Sequence, residues 1–257
     1  MRARGLVYEE EGSVKFTPAG NRRYNRVLAS LADGDFGLVQ HHLRPTALRL
    51  RQCVEAANRP VHTIHFPYSG IISVVAQTSN RQHEAEVGLV GWEGMTGVPV
   101  VLGSEPPACN AFVQVEGDGV SLSADELREL MQASSSLHLS LLRYAQVFVL
   151  QACHTALANA KGSVEQRLAR WLLMAHDRLP GDSLRSTHEF LSLMLGVRRA
   201  GVTIALQHLQ STGVISTTRG GIEITDRPGL ERSVGGFYGA PERELERLLE
   251  VRHQAAE

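Results

Sequence analysis

The sequence predicts an α+β chain: a β-rich N-terminal half, one long helix, and a C-terminal pair of short helices closed by a β-hairpin. Three observations predict it. Short β-like runs divided by Gly, Pro and Asn occupy residues 61–115, a stretch without Gly or Pro covers Leu137–Asn159, and two helical patterns meeting at Gly196 precede two short alternating strands.

Residues 1–24 mix Gly, Pro and charge without periodicity and read as an N-terminal extension. From Asn25 to His42 the spacing of Val27, Leu28, Leu31, Phe36 and Val39 predicts one or two short helices. Strands are expected over Val61–Phe66, Ile71–Gln77, Glu84–Val90 and Phe112–Val115, with Pro67, Gly70, Asn80, Gly91, Gly94, Gly103 and Pro106–Pro107 as dividers. Short strands at this spacing describe a β-sandwich or β-roll and not a parallel α/β sheet.

The Gly- and Pro-free stretch allows a helix of about 35 Å. Within it Leu141, Ala145, Phe148, Ala152, Thr155 and Asn159 recur at alternating four- and three-residue steps, the spacing of a coiled-coil seam. A second stripe, Leu142, Val149, Cys153 and Ala156, flanks the first, and Arg143, Gln146, Gln151 and His154 interrupt both. A helix so apolar all round is buried on more than one side. Two arrangements satisfy this: a central core helix of one domain, or a helix packed both on a twin and on its own β-domain.

Ser163 to Gln166 has the S-x-x-Q form of a capping box, opening a helix whose buried face is Leu168, Trp171, Leu172 and Ala175, and Pro180-Gly181-Asp182 ends it. Ser186 and Glu189 form another such pair before a short helix containing Phe190, Leu191, Met194 and Leu195. Gly196 supplies the turn, and a second helix from Arg198 to Ser211 has core positions Val202, Ala205, Leu206 and Leu209. Gly213 stops it. Val214–Thr217 and Ile222–Thr225 then alternate around Thr218-Arg219-Gly220-Gly221. Two helices with Gly in their turn are often a packing unit only. Followed by a Gly-tipped hairpin, they describe a winged helix-turn-helix.

The net charge of −1 excludes a globally basic nucleic-acid binder, so contact with DNA requires a local patch. Such a patch exists: no acidic residue lies between Phe190 and Ile222, while Arg198 and Arg199 open the second helix and Arg219 tips the hairpin. Guanidiniums at a helix N-terminus suit phosphates and base edges. Cys53, Cys109 and Cys153 are odd in number and lack paired spacing, which gives no disulfide or zinc framework and favours a reducing compartment. The N-terminus lacks an apolar signal segment, and no run reaches the length of a membrane span, so a cytoplasmic protein is expected. An enzyme is not expected: the chain has no G-x-S-x-G elbow, no H-E-x-x-H and no phosphate-cradling G-x-x-x-x-G-K loop. Glu84 and Glu86 share one side of a strand but have no acid–base partner in sequence, and read as a solvated face.

The phrases FPYSGIISVV (66–75), VGLVGWEGMTGVPVVLG (87–103), SVEQRLARWLLMAHDRL (163–179) and THEFLSLMLGVRRAGVTIAL (187–206) resemble the Crp/Fnr superfamily of transcription regulators. The resemblance runs from about Asn25 to Asp226. It implies a cyclic-nucleotide-binding-type β-roll sensor over 25–135 and a dimerisation helix over 136–160. A winged helix-turn-helix follows over 161–226, and 227–257 remains as a C-terminal extension. The implied partners are double-stranded DNA, a second copy of the chain and RNA polymerase, with no membrane, metal or cofactor. The expected DNA-contacting residues are Arg198, Arg199, Ala200, Thr203, Ile204, Gln207 and Arg219. The dimer seam is expected along Leu141, Ala145, Phe148, Ala152 and Thr155.

The chain departs from the family pattern in the sensor. Glu93, within Gly91-Trp92-Glu93-Gly94, echoes the ribose-holding turn, but the arginine-containing phosphate clamp aligns with Cys109-Asn110. Without that arginine a buried phosphate has no bidentate partner, so the pocket reads as degenerate and gating by cyclic AMP or GMP is not expected. A sensor gated by another ligand or by redox chemistry at Cys109 stays open as the alternative, as does Cys109 as a small buried filler. The cysteines do not form an iron–sulfur run. His62 and His65 lie on opposite sides of a strand, which argues against a shared haem site. On the second helix, the family's Arg, Glu, Arg reading set is retained only at Arg199, with Ala200 and Ile204 at the other positions.

Overall fold

A computed structural model describes residues 24–80, 82–218 and 220–250. Two short helices, α1 (Arg26–Ser30) and α2 (Asp33–Gln40), lead into the sheets. The strands are β1 (Arg44–Leu48), β2 (Cys53–Glu55), β3 (Thr63–Pro67), β4 (Ile71–Gln77), β5 (Glu84–Val90), β6 (Asn110–Val115) and β7 (Gly117–Ser123). A single helical turn, α3 (Val98–Val101), sits between β5 and β6. The strands form two antiparallel sheets, ordered β1-β7-β3 and β2-β6-β4-β5.

The interior next to the first sheet contains Ile64, Phe66, Val120 and Leu122 together with Leu28 of α1 and Phe36 of α2. It is closed by α4 (Ala124–Ala133) and the first half of α5 (Ser135–Lys161). A capping box at Ser123 and Glu126 starts α4, and Glu126 also accepts a bidentate pair from Arg44 on β1. No helix among the described residues is long and apolar enough to cross a membrane.

The second half of the chain begins at Gly162. Ser163 and Gln166 form the expected capping box and start α6 (Val164–His176). It is followed by β8 (Ser183–Arg185), α7 (His188–Leu195), α8 (Arg199–Ser211), β9 (Ile215–Thr218) and β10 (Gly221–Ile224). The strands make a three-stranded sheet, β8-β10-β9, so the hairpin gains a third strand that the sequence did not signal. The chain then continues into α9 (Arg227–Ser233) and α10 (Ala240–Glu250). Leu230 and Val234 are fully buried in the same cluster as Leu168, Val202 and Leu209, so this unit extends past residue 226.

That cluster also contains Ile71, Val75 and Leu89 from the four-stranded sheet. The winged helix therefore docks on its own β-roll, with Met194 of α7 against the Ser73 hydroxyl of β4. This docking corrects the reading of Glu86. Glu86 pairs opposite Val75 and lies on the same face of β5 as Glu84, and the winged helix covers that face at Glu86. Glu84 is exposed as expected, but Glu86 is buried, accepting from Trp171 Nε1 at 2.9 Å and from Ser73 Oγ.

Candidate nucleic-acid interface

The two helices of the candidate reader are set by their caps. Thr187, not Ser186, is the N-cap of α7, its hydroxyl accepting from Phe190 N at 3.2 Å. The Ser186 hydroxyl is buried and has no partner among the described residues, so the capping pair expected at Ser186 and Glu189 lies one residue off. Gly196 ends α7 at φ 59° and ψ 38°, a left-handed conformation that costs a residue with a Cβ about 1 kcal/mol. That turn directs the chain into α8.

Helix α8 buries Val202, Ala205, Leu206 and Leu209 against α6 and α7. Arg199, Ala200, Ile204 and Gln207 point the other way and are exposed, Ile204 at 66% of its surface. Their spacing puts them on one helical face, because residues three and four apart are neighbours on a helix. Thr203 lies at the edge of that face, half-buried; its hydroxyl contacts Arg199 O at 3.1 Å and His188 Nδ1 at 3.0 Å. Arg198 is the N-cap residue, and its side chain makes no capping hydrogen bond to the first turn of α8. Free N–H groups and two exposed guanidiniums therefore converge at one end of the helix. The carboxylate of Glu165 meets His208 at the opposite end, 2.9 Å away. Arg219 lies outside the described residues. The hairpin that carries it is tied to α8 through Thr217 Oγ1 and Gln210 Oε1.

Two of the three residues of the expected effector pocket are engaged with other partners. Glu93 is buried and pairs with Arg178 at 2.8 Å, at the C-terminal end of α6. Asn110 Oδ1 accepts from Ala57 N at 2.9 Å and so is used in holding the turn after β2. The Cys109 thiol is half-buried, and burial, with Glu55 nearby, pushes its pKa up, opposite to what a reactive thiolate requires. The residue that sequence reasoning missed is Glu55. Its buried carboxylate accepts from Gly97 N at 2.6 Å, at the start of α3, and burial raises its pKa. No motif announced it, because it reaches Gly97 across 42 residues of sequence. His62 is exposed and His65 buried, on opposite sides as expected, and burial lowers the His65 pKa to about 4.

The expected dimer seam is also redistributed. Leu141 and Ala145, each 1% exposed, are in the core beneath the β-roll, and Phe148 packs beside Gly88 of β5. Ala152 and Thr155 are half-buried. Buried Gln151 clamps β5, accepting from Leu89 N at 2.5 Å and donating to Leu89 O at 3.2 Å. The apolar residues of α5 left open are Leu139, Val149, Cys153, Ala156, Leu157 and Ala160, with Leu142 half-buried beside them. Leu142, Val149, Cys153 and Ala156 are the stripe that the sequence places second.

Residues 166–233 match the Crp-like helix-turn-helix domain. A search of curated proteins finds no match. Among solved structures, a protein from Eubacterium rectale placed in the Crp/Fnr family of transcriptional regulators superposes with a TM-score of 0.66 at 17% identity, covering 83% of this chain and 100% of that one. FixK2 from Bradyrhizobium japonicum gives 0.62 at 14% identity, covering 74% and 96%. A CRP-family transcriptional regulator from Thermus thermophilus gives 0.60 at 18%, covering 74% and 97%. These likenesses are likenesses of fold.

Proposed function

Since the chain carries a Crp-like helix-turn-helix domain on the fold of the Crp/Fnr regulators, we propose that it is a sequence-specific DNA-binding transcription regulator acting as a homodimer. One observation carries the reading: α8 offers Arg199, Ala200, Ile204 and Gln207 to solvent behind an uncapped, doubly cationic N-terminus. Arg199 is the one side chain of this set that can make a bidentate contact to guanine N7 and O6, while Ala200 and Ile204 suit a thymine methyl. Arg198 and Arg219 hold phosphates and set register.

Two copies meet along the open stripe of α5. Leu142, Gln146, Val149, Cys153, Ala156 and Ala160 alternate in steps of four and three, the spacing of a two-stranded seam. A two-fold pair places its two reading helices on an inverted repeat. Cyclic AMP and cyclic GMP do not gate it. A phosphate near α3 would meet the Glu55 carboxylate where it needs a cation, and Cys109 and Asn110 supply none.

The test is binding to genomic DNA fragments across a salt series. A regulator that neutralises phosphates loses affinity by about 10³-fold or more between 50 and 200 mM salt. Absence of salt-dependent binding removes the reading.

A further inference from the structure

The segment after the winged helix returns to the other domain. Gly235, Gly236 and Gly239, all at positive φ, turn the chain back between α9 and α10. Leu245 and Leu249 of α10, 7% and 8% exposed, then join the cluster formed by the β-roll, α1 and α5. A helix whose chain origin is the DNA-binding unit thus completes the core of the sensor unit.

Polar ties line the same path. Arg170 of α6 donates to Phe237 O at 3.0 Å. Tyr238 donates to Asp177 at 2.6 Å, and Arg227 donates to Asp177 at 2.6 Å and to Tyr238 at 2.9 Å. Glu242 lies within electrostatic reach of Arg170 and Arg178, both buried. Arg178 in turn pairs with Glu93 of the loop after β5, and Trp92 of that loop donates to Asp177 O at 2.9 Å. The loop of the β-roll, the end of α6 and the returning segment therefore share one buried charge cluster.

We propose that residues 234–250 are an intramolecular clasp: together with the docked face they hold the winged helix in one orientation on its own β-roll. Only Gly162 and Ser163 separate α5 from α6, so the orientation of the winged helix rests on its docked face around Ile71, Val75 and Leu89 and not on the hinge. Anchoring the far end of the same unit through two leucines gives that orientation a second, independent hold. The clasp leaves the reading face of α8 open, so it holds the reader and does not cover it.

The chain has two tryptophans, and both sit in the joint: Trp92 on Asp177 and Trp171 on Glu86. In a Trp92→Phe background Trp171, 5% exposed, becomes a native reporter of domain opening that requires no DNA. The full chain carrying Leu245→Asp and Leu249→Asp is expected to keep its far-UV circular dichroism, shift its emission to the red and gain about threefold or more in acrylamide quenching. The milder pair Tyr238→Phe and Glu242→Gln leaves the leucine core in place, and is expected to move the same readouts in the same direction by less. If the aspartate pair collapses the β-roll, the milder pair decides. Unchanged emission and quenching in a folded variant whose α10 has become cleavable by trypsin at Arg243 and Arg247 overturns the clasp. The readout is independent of the proposed DNA function, so either can fail while the other stands.

Discussion

Glu86 gives the sharpest prediction of how the two units hold together. Its carboxyl sits between β5 and α6, and burial pushes its pKa from 4.5 up to about 7. Ser73, Trp171, Arg178 and Arg170 act in the opposite direction without overcoming burial. The folded protein thus holds a proton that the unfolded chain has lost between pH 4.5 and about 7. Stability falls as pH rises through that window and levels off above it. The full gap corresponds to ~3 kcal/mol. Glu86→Gln keeps an acceptor for Trp171, turns an amide N–H toward the Ser73 hydroxyl, which can accept it, and carries no charge. Urea unfolding of both proteins, at one protein concentration, measures the difference at pH 5 and pH 8. The variant is expected to exceed the wild type at pH 8 by ~2–3 kcal/mol more than it does at pH 5. A difference that is the same at both pH values refutes the argument.

Three further outcomes are expected. Val149→Glu places a charge in the open stripe of α5, costs several kcal/mol of association, and leaves a folded monomer in sedimentation where the wild type is a dimer; a wild-type monomer at micromolar concentration contradicts the seam. Calorimetry with cyclic AMP or cyclic GMP shows no binding, because Glu55 faces Gly97; a tenfold gain in DNA affinity with either nucleotide, ~1.4 kcal/mol of coupling, is the contrary result. Ser163→Ala removes the cap of α6 and lowers stability by ~1 kcal/mol, read as a drop of about 2–4 °C in Tm, whereas an unchanged Tm means the cap adds nothing.

The order of elements was legible because each unit announces itself locally: strands by alternation, α6 by its capping box, the turn before α8 by Gly196. What stayed hidden depends on long-range packing. Strand β7 begins Gly117-Asp118-Gly119 and reads as a turn, yet a Cβ at either glycine would collide with the backbone of Ser69 or Phe66, so the glycines serve close strand approach. Both stripes of α5 are apolar, and periodicity alone cannot tell which one faces the chain's own sheets. Glu86 looked like Glu84 because the two share one face of β5, and only the docked helices, which cover Glu86 and leave Glu84 open, separate them. The reading face of α8 was recognisable because its core positions, three and four apart, leave only one face for Arg199 and Ile204. The residues of the expected effector pocket were named from the family pattern, which gives no sign that Glu55 holds Gly97 or that Arg178 pairs with Glu93, since both contacts join distant segments.

The central claim is that α8 reads bases through Arg199 on a two-fold site. Selection of binding sequences from a random pool by the wild type and by Arg199→Ala tests it directly. The wild type is expected to recover an inverted repeat with half-sites about 34 Å apart and one dominant guanine in each. Arg199→Ala is expected to lose ~1–3 kcal/mol and its preference at that guanine alone. Recovery of one motif with equal sharpness by both proteins contradicts the account.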